Sequence, residues 1–269
     1  MSNRLILDTR RLFCRLLRTF EIDTVCDVGS MDGTDALRFR RALPRASILA
    51  FEPNPRNFAL MEADEELRHH SIRAFPLAAS DRRGEATFHV VEAEYAQRRN
   101  SFRRGMSSLH RRPNGPHLAE TVPVSTVRLD EFLGAESLGD TAIALWIDTE
   151  GTAFEVVRGC SGILRSTSML HVEVETKPVF GSTQGLFADV ERELADAGFI
   201  RLATDQPDHL VQFNALFVRM DVFETKASEI MPLVRRERLR RSATHGVTQL
   251  LPMRLRLLLG VGVPETRLR

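Results

Sequence analysis

Residues 24–55 read TVCDVGSMDGTDALRFRRALPRASILAFEPNP. A short apolar strand, Thr24–Val28, carries Asp27 near its end, and a tight loop with Gly29 and Gly33 follows. An amphipathic helix capped by Thr34 or Asp35 runs to about Leu43, where Pro44 stops it. A second apolar strand, Ser47–Phe51, then ends on Glu52. This order suits a Rossmann-like fold that holds a nucleoside. Glycines let the backbone approach a ligand, and a carboxylate closing strand two can accept hydrogen bonds from ribose hydroxyls. The plainer alternatives are a tight turn at the glycines and a strand-end carboxylate at Glu52 that caps its own turn.

Outward from this segment, Leu7–Phe20 has helical spacing of Leu12, Leu16 and Phe20. Arg56–Leu67 reads as a second helix and Ser71–Leu77 as strand three. Glu85–Val91 is a strand leaving a turn at Arg83-Gly84. Glu92–His117 is polar and carries Arg98, Arg99, Arg103, Arg104, Arg111 and Arg112, in the manner of either a binding loop or a solvated insertion. Strand four is Ala142–Ile147, ending at Asp148, with a helix from about Thr152. Strand five is Met169–Val174, and Leu186–Ala197 is a helix stopped by Gly198. Phe199–Ala203 and Val211–Val218 are joined too closely for a parallel crossover, so they pair antiparallel. The fold class is α/β: a Rossmann-like, seven-stranded, mostly parallel sheet with an antiparallel last strand and helices on both faces.

The expected organisation is one domain over residues 1–220 and a basic helical extension over 221–269. Arg235, Arg236, Arg238, Arg240 and Arg241 cluster in that extension, and Leu250–Gly262 is apolar. Packed helices are the plainest reading; a homodimer element or a surface touching anionic membrane are the alternatives. The net charge of +1 gives no global field for nucleic acid. Cys14, Cys26 and Cys160 lack metal or disulfide-framework spacing, as in a reducing compartment. No stretch approaches the ~20 apolar residues of a membrane span, and a cytoplasmic location is expected.

The ordered motifs resemble the FkbM family of class I S-adenosylmethionine-dependent O-methyltransferases. They are Asp27-Val28-Gly29 with Gly33, Phe51-Glu52-Pro53-Asn54-Pro55 with Asn57-Phe58, and Ala78-Ala79-Ser80-Asp81 with Gly84. Ser107-Ser108-Leu109, Leu129-Asp130, Ile147-Asp148-Thr149-Glu150-Gly151 and Glu155-Val156-Val157-Arg158-Gly159 complete the set. The resemblance spans roughly Asp23 to Arg219. It departs from the family pattern at Ser30-Met31 (usually Ala-Asn), at Trp146 (usually Lys) and at Ala153 (usually Glu).

The resemblance implies S-adenosyl-L-methionine as cofactor and methyl transfer to a hydroxyl of a sugar, glycan or natural product. It assigns Asp27, Gly29 and Gly33 to the methionine and ribose portions and Glu52 to the ribose diol. Ser80 and Asp81 fall where such enzymes contact adenine, though Asp81 also suits the Asp-Arg-Arg-Gly turn. Asp148 and Glu150 emerge at the carboxyl end of a parallel strand, the catalytic position of such sheets, and could equally cap the following helix. His171, Glu173 and Glu175 alternate on strand five, so they share a face. With Asp148 they could hold a divalent cation, or simply form a polar strand end. The arginines of 92–117, Arg103 and Arg104 among them, suggest an acceptor bearing carboxylate or phosphate. Two other functions fit less of the pattern. A nicotinamide oxidoreductase would use Glu52 but lacks the full Gly-x-Gly-x-x-Gly run, and a non-catalytic binding protein would keep the fold alone.

Overall fold

The computed structural model describes residues 5–92, 102–113 and 118–250. In chain order the first half comprises α1 (Thr9–Thr19), β1 (Thr24–Val28), α2 (Thr34–Ala42), β2 (Ser47–Phe51), α3 (Pro55–Ala63), α4 (Glu65–His69), β3 (Arg73–Phe75), β4 (Leu77–Ala79) and β5 (Gly84–Val91). The second half comprises β6 (Leu118–Val127), α5 (Leu129–Ala135), β7 (Ile143–Ile147), α6 (Ala153–Arg158), β8 (Thr167–Glu175), α7 (Phe187–Asp196), β9 (Phe199–Thr204), β10 (Gln212–Arg219) and α8 (Met220–Leu250).

Seven strands form the main sheet in the order β3-β2-β1-β7-β8-β10-β9. All run parallel except β10, which is antiparallel to both β8 and β9. Strands β1 and β7 are buried along their full length, the mark of a parallel strand covered on both faces. Alternation along β7 divides the core. Ala144 and Trp146 join Leu12, Leu16 and Phe39 under α1 and α2, whereas Leu145 and Ile147 join Val156 and Leu194 under α6 and α7. Full burial of each such Leu, Ile or Phe side chain contributes roughly 1.5–3 kcal/mol. The strand order reverses between β1 and β7, which pair with each other while their onward connections leave in opposite directions. That switch point opens a crevice at the carboxyl ends of the two strands.

Four local expectations change. Strand three stops at Phe75; after Pro76 the chain enters β4, which belongs to a separate three-stranded sheet, β4-β6-β5. Proline lacks the N–H that a continuing ladder needs. The expected helix Arg56–Leu67 breaks at Asp64, whose side chain accepts from the Glu66 N–H at 2.8 Å and caps α4. The N-cap of α2 is Gly33, at φ 76°, and not Thr34 or Asp35. Strand β6 arises just after the polar segment Glu92–His117, where no element was expected, pairing antiparallel with β5 and parallel with β4.

Helix α8 carries a break at Lys226 and a proline at 232, and it buries Ile230 and Val234 in the α1–α2 core. The apolar stretch expected after Leu250, with residues 251–269, lies outside the described residues, as do Arg98 and Arg99. No helix among the described residues is long and apolar enough to cross a membrane.

Candidate active site

The turn after β1 sets the geometry. Gly29 (φ 82°) sits so close to the β7 loop that a Cβ there would lie 2.1 Å from the Asp148 carbonyl oxygen. Glycine at this position is thus demanded by the packing of two loops. Met31 adopts φ 56°, a left-handed conformation that Asn tolerates far better, which gives a physical reason for Asn at this place in the family pattern. Gly33 (φ 76°) would press a Cβ against Leu67 at 2.6 Å.

Glu52 is 4% exposed and held by two backbone donors. Its Oε2 accepts from the Met31 N–H at 2.7 Å and its Oε1 from the Asn54 N–H at 2.9 Å. Burial pushes the carboxyl from 4.5 up to about 7, against the opposing pull of those N–H groups. Asp27 is also buried, and Ser30 Oγ donates to its Oδ2 at 2.6 Å. Desolvation, reinforced by Asp35, drives its pKa well above the ordinary carboxylate value.

A cavity runs from Glu52 to Asp148. One wall is apolar, made by Val28, Phe51, Leu77, Ala78, Ala79 and Phe88. The other bears Asn57 and Thr149, and both Asn57 Oδ1 and Thr149 Oγ1 are buried without a hydrogen-bond partner. Buried polar atoms are nearly always satisfied, so these two mark where a polar ligand would bond. An adjoining open cleft is lined by Asp27, Ser30, Trp146, Asp148, Glu150 and Glu173. Asp148 and Glu150 thus border both spaces. Burial raises the Asp148 pKa, with Asp35 adding to the rise and Arg10 opposing it. Burial likewise raises Glu150, against the pull of Arg112, whose Nη2 bonds Glu150 Oε2 at 2.5 Å.

The remaining candidates are dispersed. Gly33 lines neither space and serves the loop and the α3–α4 contact. Ser80 and Asp81 lie in a separate groove, where Asp81 pairs with Arg158 at 3.5 Å. The apolar wall of the cavity comes instead from the preceding residues, Leu77–Ala79. His171 is buried away from the cleft, stacked on Trp146 with ring centroids 3.6 Å apart, and its Nε2 is 3.0 Å from Thr9 Oγ1. Glu150, Glu173 and Glu175 do come together.

Two arginines of the arginine-rich segment turn inward, whereas Arg111 is exposed. Arg104 is 1% exposed and lies 3.5 Å from Asp32, and Arg112 stacks on Phe180 while bonding Glu150. Of the two expectations for this segment, a binding loop or a solvated insertion, the burial of Arg104 in the cavity lining is consistent with the first at that residue. Ser107 Oγ accepts from Asn54 Nδ2 and Val91 N, and Ser108 Oγ donates to the Glu150 carbonyl at 2.5 Å. The Ser107-Ser108-Leu109 motif thus ties this segment to both the β2 and β7 loops. Phe88 had no role in the sequence reading, because only the fold brings it to the cavity.

A sequence model described as the methyltransferase FkbM domain matches residues 27–201. The chain is 28% identical over 165 residues to 2-O-methyltransferase NoeI of Sinorhizobium fredii (strain NBRC 101917 / NGR234), covering 58% of this chain and 65% of that protein. It is 29% identical over 144 residues to Methyltransferase 1 of Beauveria bassiana (strain ARSEF 2860), covering 50% and 57%. The chain therefore spans less than two thirds of the length of these curated relatives. Among solved structures, methyltransferase FkbM from Methylobacillus flagellatus KT is similar at 11% identity, covering 74% of this chain and 44% of that one, with a TM-score of 0.45. The N-terminal domain of EvdMO1 with S-adenosylhomocysteine bound is similar at 14% identity, covering 80% and 82%, with a TM-score of 0.43.

Proposed function

We propose a function on one premise: the chain belongs to the methyltransferase FkbM domain family. The protein transfers a methyl group from S-adenosyl-L-methionine to a hydroxyl of a sugar, glycan or natural product. The observation that carries this reading is the single cavity joining Glu52 to Asp148. Its residues fit the cofactor: a buried acceptor at one end, an apolar slot between, and orphaned Asn57 and Thr149 oxygens along the wall. Transfer to an oxygen draws support from the 2-O-methyltransferase among the relatives.

When bound, the cofactor supplies a methyl group on a sulfonium, and the chain supplies position and proton handling. Glu52 would accept from the ribose hydroxyls, and the Met31 and Asn54 N–H groups hold its carboxyl in place. Phe88 and Leu77–Ala79, which form the apolar wall, would hold the adenine. Asp148 borders the adjoining cleft, where the acceptor enters, and takes the hydroxyl proton; its raised pKa suits a base working near neutrality. Glu150 carries no separate proton step, because Arg112 holds one of its oxygens. Alignment of acceptor and methyl donor supplies ~7–11 kcal/mol, and the base a further ~10²–10⁴-fold.

Replacing Asp148 by Asn tests the assignment in a labelled-methyl assay with hydroxyl-bearing glycan acceptors. The expected result is transfer slowed by about 10²–10⁴-fold with S-adenosylhomocysteine affinity kept within a few-fold. Full transfer by the variant would remove Asp148 from the reaction.

A further inference from the structure

Glu173 and Glu175 lie two residues apart on β8 and so project from one face, toward Glu150 at the end of β7. One oxygen from each of the three lies within 4.8 Å of the others. Three oxygens spread evenly around one ion at roughly 2.3–2.6 Å stand about 4.0–4.5 Å apart, so small side-chain shifts bring the three into a single coordination shell. Their partners across the sheet are Asn214, opposite Glu173, and Gln212, opposite Glu175, both uncharged. Arg112 is engaged with one oxygen of Glu150.

A separate observation points to a missing ligand. Glu175 is 3% exposed; its Oε2 accepts from Gln184 Nε2 at 3.1 Å, and its Oε1 is buried with no hydrogen-bond partner. Glu173 Oε2 is in the same condition. Leaving a buried acceptor unmet costs about 1–3 kcal/mol, and more for a charged one. A cation at this strand end would supply such oxygens with a partner.

We propose that Glu150, Glu173 and Glu175 bind one divalent cation of the hard, oxygen-preferring class, such as Mg²⁺, Mn²⁺ or Ca²⁺. The ligand set is all carboxylate, with no thiolate or imidazole among its three members. Glu150 and Glu173 also line the open cleft beside Asp148, so the ion's free positions face the acceptor. There it would coordinate a hydroxyl of the acceptor and ease its deprotonation. That consequence rests on the methyl-transfer reading; binding of the ion does not.

The test is a Mn²⁺ titration of chelator-treated, dialysed protein, read by the paramagnetic resonance signal of free Mn²⁺, with no cofactor or acceptor present. One Mn²⁺ per chain is expected, displaced by Mg²⁺ or Ca²⁺. Glu175→Gln should weaken it by at least the roughly 10–100-fold that loss of even an outer ligand partner costs. Glu173→Gln, at a half-buried position, should do the same and carries the test if the Glu175 variant does not fold. Melting curves without ion verify both folds. Absence of Mn²⁺ binding by the wild type, or unchanged binding by a folded variant, overturns the proposal and leaves protons as what the cluster holds. S-adenosylhomocysteine affinity on the same metal-free sample separates failure of the ion from failure of the methyl-transfer reading.

Discussion

Glu52 offers a sharp test of how the buried site is built. In the folded protein its carboxyl is pushed from 4.5 up to about 7 by burial. The folded state therefore keeps a proton between those values that the unfolded chain has released. For an acid raised in this way, stability is greatest at low pH and falls as pH rises through the window, levelling above about pH 7. The displacement corresponds to about 3 kcal/mol between the ends of the window, of which roughly 2–3 kcal/mol falls between pH 5 and pH 8. Glu52→Gln removes this titration while keeping the shape. It also replaces one acceptor by an amide donor, so one of the Met31 and Asn54 N–H groups loses its partner, at a cost of about 1–3 kcal/mol. At pH 5 the wild type should be the more stable protein. By pH 8 its lead should have shrunk to nearly nothing, or reversed. Asp27, Asp148 and Glu173, which are also raised, are common to both proteins and cancel in the difference. Urea unfolding followed by circular dichroism at a series of pH values measures the gap. A gap that stays constant from pH 5 to pH 8 would refute the buried, proton-holding Glu52.

The two unusual conformations of the glycine loop make further predictions. Gly29→Ala must accommodate both φ 82° and a Cβ 2.1 Å from the Asp148 carbonyl oxygen, where backbone faces backbone. The left-handed conformation alone costs ~1–2 kcal/mol, so a loss of at least 4 °C or so in melting temperature is expected, and an unchanged melt would contradict the packing argument. Met31→Asn should act in the opposite sense, relieving up to ~1 kcal/mol at φ 56° and raising the melting temperature by ~2–4 °C. A lower melting temperature would mean that the Met31 side chain, which lines the cavity, contributes more by packing than its backbone loses.

Much of the main sheet is legible in residues 24–55 because strand, glycine turn, helix and acid are local signals separated by short connections. Strands β1 and β2 keep their sequence-expected bounds, Thr24–Val28 and Ser47–Phe51, since continuous burial writes them as apolar runs. The reversed strand β10 is legible from loop length alone. The second sheet is not, because β6 (Leu118–Val127) alternates Thr, Val and Ser at the end of a polar segment and includes Pro123. Its pairing with β4 and β5 is a long-range choice that no window of sequence contains. The site shows the same division. Glu52 and Asp148 were legible as acids at strand ends, the natural ligand edge of a parallel sheet. Ser80 and Asp81 line a groove of their own, because the chain turns out of the main sheet at Pro76 and Leu77–Ala79 line the cavity. For Arg104 the sequence left a binding loop and a solvated insertion open, because composition does not reveal that Asp32 faces it inside.

The central claim is that one cavity, from Glu52 to Asp148, holds S-adenosylmethionine. Calorimetric titration of the full chain with S-adenosylhomocysteine, and in parallel with NAD, tests it most directly. A single saturable site for S-adenosylhomocysteine, with no heat from NAD, is the result expected. Binding of NAD in preference, or of neither ligand, would contradict the assignment and return the fold to a dinucleotide enzyme or a non-catalytic binding protein.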